Sequence, residues 1–272
     1  MYSLEDNHED IIGKAIKGLN LSPDVICHES DITKTELQQL LHGEYTNELE
    51  TPLRNLAATL QLNADALVQS AAKTWHPKIE SLPDGLQCFT TPYGDMTVNA
   101  YLLRLPDSKQ AIAFDTGADA SPMLEVIQRD QLQLTHLFLT HTHGDHIFDL
   151  DRLCEKTGAT AYVHELEALP GTKTFCYSEF FEIEPLKCST LQTSGHAKGG
   201  TTYFIKGLSK PLAVVGDAIF AGSMGGGMIS YTEALETNHK NILTLPDETI
   251  LCPGHGPITT VALEKKHNPF FA

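Results

Sequence analysis

The spacing of apolar residues changes once along the chain, near residue 75. Before that point the period is helical. Ile11, Ile12, Ala15, Ile16 and Leu19 recur three and four apart, as do Leu37, Leu40 and Leu41, then Leu53, Leu56, Ala57 and Leu60, then Ala66, Leu67, Ser70 and Ala71. Asp31 or Thr33, Thr51 ahead of Pro52, and Asn63 stand where N-caps are expected, and Gly43 where a helix should stop. The pattern predicts four or five short helices and no strand. From Leu86 the period drops to two. Residues 87–91 and 97–105 alternate like the arms of a hairpin, with Pro92, Tyr93, Gly94 and Asp95 at its turn. Further strands are expected at 110–114, 134–139, 160–164, around 180, and at 186–190, 201–205, 212–215 and 249–252. Helices are expected at 121–131, from about 147 to 156, at 232–243 and at 260–267. Proline after Trp75 and His76 places the junction there, with the single tryptophan as a wedge between 1–75 and 76–272.

Composition narrows the function. A chain of 272 residues can bury a substantial core, as one large or two unequal domains. Its formal charge of −16 opposes nucleic acid and anionic membranes, because like charges repel. No apolar run reaches the ~18 residues of a spanning helix. The start, M-Y-S-L-E-D-N-H-E-D, is polar and acidic, unlike a signal peptide. Six scattered cysteines without a C-x-x-C pair fit a reduced, cytoplasmic protein.

The chemistry is concentrated after the apolar run 134–139. The chain there reads L-F-L-T-H-T-H-G-D-H-I-F-D-L-D, placing His141, His143, Asp145 and His146 within six positions. Three imidazoles and a carboxylate at that spacing cannot share one face of a strand or a helix. They suit a strand-to-helix loop wrapped around a centre, and their donor atoms suit zinc, iron or manganese.

H-x-H-x-D-H resembles the signature of the metallo-β-lactamase superfamily. That family's later ligands also have counterparts: His196 in S-G-H-A-K-G-G-T-T-Y-F-I, Asp217 in L-A-V-V-G-D-A-I-F, and His255 in I-L-C-P-G-H-G-P. The closing G-H-G-P-I-T-T-V-A-L-E-K-K-H-N-P-F looks most like the glyoxalase II (hydroxyacylglutathione hydrolase) branch, and the resemblance runs from about Leu86 to Ala272. It implies an α/β (α+β) fold, a four-layer αβ/βα sandwich behind a small all-α domain. It implies two divalent metal ions, zinc foremost with iron or manganese as alternatives. One ion would take His141, His143 and His196, the other Asp145, His146 and His255, with Asp217 bridging. Asp145 and Asp217 are then the catalytic candidates, and Asp115 supports the ligand loop through hydrogen bonds. The implied reaction is hydrolysis of a thioester or related activated ester by a hydroxide held between the metals. Gly225, Gly226 and Gly227 are expected to form a mobile wall of the site.

Two departures bear on substrate. Glyoxalase II enzymes usually carry a lysine and a tyrosine soon after the bridging aspartate and a helical C-terminal domain, which together grip glutathione. Here the stretch after Asp217 reads A-I-F-A-G-S-M-G-G-G-M-I-S-Y, and the chain ends at Ala272. Lys198 and Tyr231 remain as the substrate-binding candidates. A lactonase or a mononuclear-iron persulfide dioxygenase, using the equivalents of His141, His196 and Asp217, is the alternative on the same scaffold.

The N-terminal segment, from G-L-N-L-S-P-D-V through T-K-T-E-L-Q-Q-L-L-H-G-E to L-R-N-L-A-A-T-L-Q-L, resembles a lambda-repressor-like helix-turn-helix domain. Its reading helix would carry Thr33, Lys34, Thr35, Gln38 and Gln39. Residues 1–75 nevertheless hold five Lys/Arg against twelve Asp/Glu, the wrong balance for neutralising phosphates. Packing or homo-oligomerisation is the expected role, ahead of a transcription regulator that senses a ligand. The expected partner is a small thioester or ester, with neither nucleic acid nor membrane.

Overall fold

A computed structural model describes residues 3–272. Five helices come first: α1 (His8–Leu19), α2 (Pro23–Ser30), α3 (Lys34–Leu41), α4 (Glu50–Thr59) and α5 (Ala64–Ala71). The caps explain their bounds. Thr33 accepts from the Glu36 backbone N–H while the Glu36 carboxylate returns to Thr33 N, a reciprocal capping box. Asn63 accepts from Ala66 N at 2.9 Å. Thr51 is no cap, because α4 begins at Glu50 and a short 3-10 turn (Asn47–Leu49) runs into it. The helical apolar residues form one core, with Ile11, Ile12, Leu40, Leu53, Leu56 and Leu60 fully buried. Gly13 lies in the interior of α1, where glycine costs roughly 0.5–1 kcal/mol against alanine.

Two six-stranded sheets follow. The first runs in spatial order β1 (Leu86–Tyr93), β2 (Met96–Arg104), β3 (Gln110–Phe114), β4 (Gln133–Phe138), β5 (Thr160–His164), β6 (Lys173–Phe175). The second contains β7 (Phe180–Ile183), β8 (Leu186–Gln192), β9 (Thr201–Lys206), β10 (Leu212–Gly216), β11 (Ile250–Pro253) and β12 (Thr259–Thr260), in reverse order across the sheet. Each sheet is mixed: β3 to β6 are parallel neighbours, as are β10 and β11, and the remaining pairs are antiparallel. Of the parallel strands, β3, β10 and β11 are near-continuous apolar runs buried on both faces.

Side-chain alternation sorts the core into layers. Tyr101, Leu103, Ile112 and Phe114 face the other sheet, where they meet Tyr203, Ile205 and Val214. Their neighbours Ala100, Leu102, Ala111 and Ala113 face outward under α6 (Ser121–Arg129) and α8 (Leu150–Thr157). A short helix, α7 (Gly144–Ile147), precedes α8. On the outer side of the second sheet, Ala213, Val215 and Leu251 pack against the end of α9 (Tyr231–Asn241) and the start of α10 (Val261–His267). The architecture is the αβ/βα sandwich behind an all-helical region. The strand at β6 had no counterpart in the sequence pattern, because three residues are too few to show a period.

The helical region is tied to this sandwich at its C-terminal end. Trp75 stacks on His267 with centroids 5.0 Å apart, and His267 Nδ1 lies 2.8 Å from Gln69 Oε1. Asn63 N donates to Pro269 O at 2.8 Å.

Candidate metal centre

Each candidate ligand lies just beyond a strand, at one end of the two sheets. The segment after β4 delivers His141 and His143 on a loop and Asp145 and His146 from α7. The β8–β9 turn delivers His196, the end of β10 delivers Asp217, and the end of β11 delivers His255. The structure brings all seven together in two adjoining clusters, His141, His143, His196 with Asp217, and Asp145, His146 with His255. Two adjoining donor clusters are consistent with a binuclear metal site.

Distances test whether cations fit. His143 Nδ1 lies 3.0 Å from both His141 Nε2 and His196 Nε2. Three nitrogens bound tetrahedrally at ~2.0–2.1 Å would sit about 3.3 Å apart. In the second cluster His255 Nε2 is 3.2 Å and His146 Nε2 3.5 Å from Asp145 Oδ2. Asp217 touches both groups: Oδ2 lies 3.3 Å from His196 Nε2 and 3.4 Å from His255 Nε2, and Oδ1 lies 3.2 Å from His146 Nε2. His146 Nε2 and Asp217 Oδ1 are buried without a hydrogen-bond partner. Buried polar atoms are rarely left so, and a cation among these donors would satisfy both.

The outer ring nitrogens are held in a consistent way. His146 Nδ1 donates to Asp115 Oδ2 at 2.9 Å, His196 Nδ1 to Gly226 O at 2.9 Å, and His255 Nδ1 to Thr97 O at 2.6 Å. Thr140 Oγ1 donates to Asp115 Oδ2 at 2.8 Å, which leaves it to accept from His141 Nδ1 at 3.0 Å. The network thus assigns the proton to Nδ1 in four rings and turns four Nε2 lone pairs inward. His143 presents Nδ1 instead. Asp115 also accepts from Thr140 N at 2.7 Å, and its backbone adopts φ +55° to do so.

Charge is focused to match. Burial alone would raise the Asp217 carboxyl, but His146 and His255 beside it hold it well below the usual range. Burial likewise opposes charge on His146, yet Asp217 and Asp115 lift it to about 10. His255 rises to about 11 against its burial, through Asp145 and Asp217. His141 goes the other way: burial and the neighbouring His146 push it well below the ordinary imidazole value. Positive charge is drawn to the inner faces of His146 and His255, where a metal cation would replace protons.

The other candidates lie elsewhere. Lys198 is exposed next to the His196 loop, and its carbonyl accepts from Tyr177 Oη at 3.3 Å. Tyr231 begins α9 with its ring against Gly18 of α1, and burial pushes its hydroxyl to about 12. Neither belongs to the two clusters. His136 lies between Phe138 and Tyr162, and His164 stacks on Tyr177 at 3.8 Å. The triple glycine has a steric reason at two of its positions. A Cβ on Gly225 would meet Asp217 O at 1.9 Å, and one on Gly227 would meet Tyr231 Cα at 2.4 Å, so close packing requires both glycines.

Several supporting residues escaped the sequence reading. Asn99 Nδ2 and Tyr101 Oη donate to Pro253 O, and Asn99 Nδ2 also to Gly256 O, fixing the His255 turn from β2. Glu167 holds Thr142 through its hydroxyl and backbone N–H, and Gly199 N at 2.9 Å, joining the His143 and His196 loops. Thr140, adjacent to His141, was discoverable by position. Glu167 carried no signal.

The description "Metallo-beta-lactamase superfamily" matches residues 93–255. The "Probable metallo-hydrolase YqgX" of Bacillus subtilis (strain 168) is 31% identical over 205 residues, 66% of this chain and 94% of that protein. The "Hydroxyacylglutathione hydrolase GloC" of Haemophilus influenzae is 25% identical over 60% of this chain and 88% of its own. Among solved structures, the BLEG-1 B3 metallo-beta-lactamase superposes with a TM-score of 0.60 at 30% identity, covering 68% of this chain and all of that one. The family match spans more than half of the chain and encloses every ligand candidate from His141 to His255, and the chain therefore belongs to the metallo-beta-lactamase superfamily.

Proposed function

We propose that this chain is a binuclear metal-dependent hydrolase acting on thioesters or closely related activated esters. The observation that carries the reading is Asp217, one carboxylate placed against both clusters at once. His141, His143 and His196 would hold one metal, Asp145, His146 and His255 the other, and Asp217 both. Zinc suits this donor set best. Bound metals supply Lewis acidity and bring the pKa of water from 15.7 to about 7, so that a nucleophile is present at neutral pH.

The chain's own residues do the rest. The Nδ1–H bonds to Thr140, Asp115, Gly226 and Thr97 orient four rings before any substrate arrives. Buried Asp145 and Asp217 place two negative charges where the attacking water must be oriented. Phe148, two residues past His146 and 68% exposed, meets Tyr93 edge-on at 5.9 Å and offers an apolar rest for the acyl group. Attack at the carbonyl carbon breaks its bond to sulfur, and the products are a carboxylic acid and a thiol. Similarity to a hydroxyacylglutathione hydrolase supports the choice of a thioester. The helical region packs against the sandwich in this reading and reads no DNA: Lys34 is paired with Asp24, and Gln39 with Glu44.

The test is metal analysis of the purified protein combined with a panel of thioesters, lactones and persulfides. About two metals per chain and preferential thioester hydrolysis are expected. One iron per chain with oxygen consumption on persulfides, or turnover of lactones alone, would overturn the reading.

A further inference from the structure

The helical region reaches the second ligand cluster through an ion pair. Asp6, just ahead of α1, is buried and pairs with the largely covered Lys14 of α1. Both partners also hold the segment after Asp217. Ser223 Oγ donates to the same Asp6 carboxylate, and Lys14 Nζ donates to Met224 O at 2.8 Å. Asp6 and Lys14 both lie outside the family match at 93–255.

The turn gripped in this way carries Phe220. Phe220 and Ser223 exchange both backbone hydrogen bonds, at 3.0 and 3.1 Å, so holding Ser223 also fixes Phe220. The Lys14 ammonium lies over the Phe220 ring, 5.1 Å from its centroid, in cation–π geometry. The same ring meets His255 edge-on, with centroids 5.6 Å apart and planes at 83°. From the other side, α10 holds the turn through Glu264 to Gly222 N and Asn268 Nδ2 to Ser223 O. Those bonds fix the backbone, whereas Lys14 bears on the ring itself. The segment ahead of α1 makes a second approach, since a Cβ on Gly256 would meet Glu5 N at 3.1 Å. His255 also pulls on the half-buried Glu5 carboxyl, although burial prevails and raises it.

His255 is the ring that gains from this support. His146 is backed by the Asp115 carboxylate, whereas Nδ1 of His255 meets a neutral carbonyl, Thr97 O. A single hydrogen bond leaves an imidazole able to rock about it, and a packed aromatic edge restrains that motion. Aim matters here, because His255 Nε2 points between Asp145 Oδ2 at 3.2 Å and Asp217 Oδ2 at 3.4 Å. Buried ion pairs add little net stability, and their best-attested use is to fix register.

We propose that Asp6 and Lys14 are positioning residues for the second metal. Through Phe220 they set the His255 ring, which makes the helical region part of the metal centre. The proposal rests on the binuclear reading and is independent of the choice of a thioester.

The experiment measures zinc affinity in the full-length protein by competition with a graded series of chelators. The second-cluster ion is identified as the one lost in Asp145→Ala. Phe220→Ala should weaken that ion about tenfold, at the lower end of what outer partners contribute. Lys14→Met and Asp6→Asn should weaken it severalfold, and Lys14→Arg, which keeps a cation over the ring, should restore most of the affinity. The first-cluster ion should be unchanged throughout. As a control, Leu56→Ala opens the helical core and should lower the urea midpoint without changing either affinity. Unchanged affinity in Phe220→Ala and Lys14→Met, with two zinc ions and wild-type circular dichroism, would overturn the positioning role. Equal weakening of both ions, or the same loss in Leu56→Ala, would also overturn it by showing a structural tie alone. A wild-type protein holding a single ion, unaffected by Asp145→Ala, would sink the binuclear reading and this inference with it.

Discussion

The two ligand clusters share Asp217 but are supported differently. In the first, His141, His143 and His196 are all neutral donors, backed by the Thr140 hydroxyl and the Gly226 carbonyl. In the second, Asp145 contributes a carboxylate of its own, and a further carboxylate, Asp115, stands behind His146. Electrostatics follow the chemistry. Burial dominates in the first and keeps His141 and His196 below the ordinary imidazole value. Carboxylates overcome burial in the second and lift His146 to about 10 and His255 to about 11. The lesson is that the two clusters differ in charge, and the more anionic one is expected to bind a cation more tightly.

The sharpest way to break this comparison is to remove what the clusters share. Asp217→Ala should deplete both metals, measured by elemental analysis, and lower turnover by more than ~100-fold, beyond what outer partners usually contribute. His143→Ala should empty chiefly the first cluster and Asp145→Ala chiefly the second, each with a heavy loss of activity. If Asp217→Ala kept two metals and near-normal turnover, the shared-carboxylate assignment would be wrong.

A milder change separates metal from support. Asp115→Asn keeps the shape but removes the negative charge behind His146. A loss of roughly 10–100-fold in metal affinity is expected, confined to the second cluster. Competition with a graded series of chelators reads it, and equal weakening of both metals would contradict the asymmetry.

The smallest effect comes from a carboxylate lacking cationic neighbours. Glu264 is fully buried, and it accepts from Gly222 N at 2.9 Å, Asn268 Nδ2 at 2.8 Å and Thr259 Oγ1 at 2.6 Å. Burial outweighs those bonds and pushes its pKa up from 4.5 to about 7, opposite to Asp217. Because the folded value lies above the unfolded one, its stabilising contribution is complete below pH 4.5 and is lost as pH rises through 7. Stability should therefore fall by on the order of 2 kcal/mol between pH 5 and 8 from this group, and Glu264→Gln should flatten that part of the urea-denaturation profile. An unchanged profile would show that the neutral donors hold the charged form after all.

Much of this was legible before folding. The H-x-H-x-D-H spacing marked the ligand segment, and His196, Asp217 and His255 each followed a segment expected to be a strand that proved to be one. Asp115 stood out in the same way, just past β3. Glu167, Asn99 and Tyr101 did not, because their partners lie 25 to 157 residues away and nothing local marks them. Thr51 looked like a cap because Pro52 followed it, but the preceding 3-10 turn had already started the helix.

Local chemistry, then, determined the periods of the elements, the identity of the donor atoms and the acidic surface, since each depends on residues a few positions apart. Only the tertiary structure decided that Asp217 touches both clusters, that Glu167 ties two ligand loops together, and that α1 lies against the loop after Asp217. Those contacts join parts of the chain up to 210 residues apart. They arise from how two sheets and a helical bundle bury their apolar faces together, which no local pattern records.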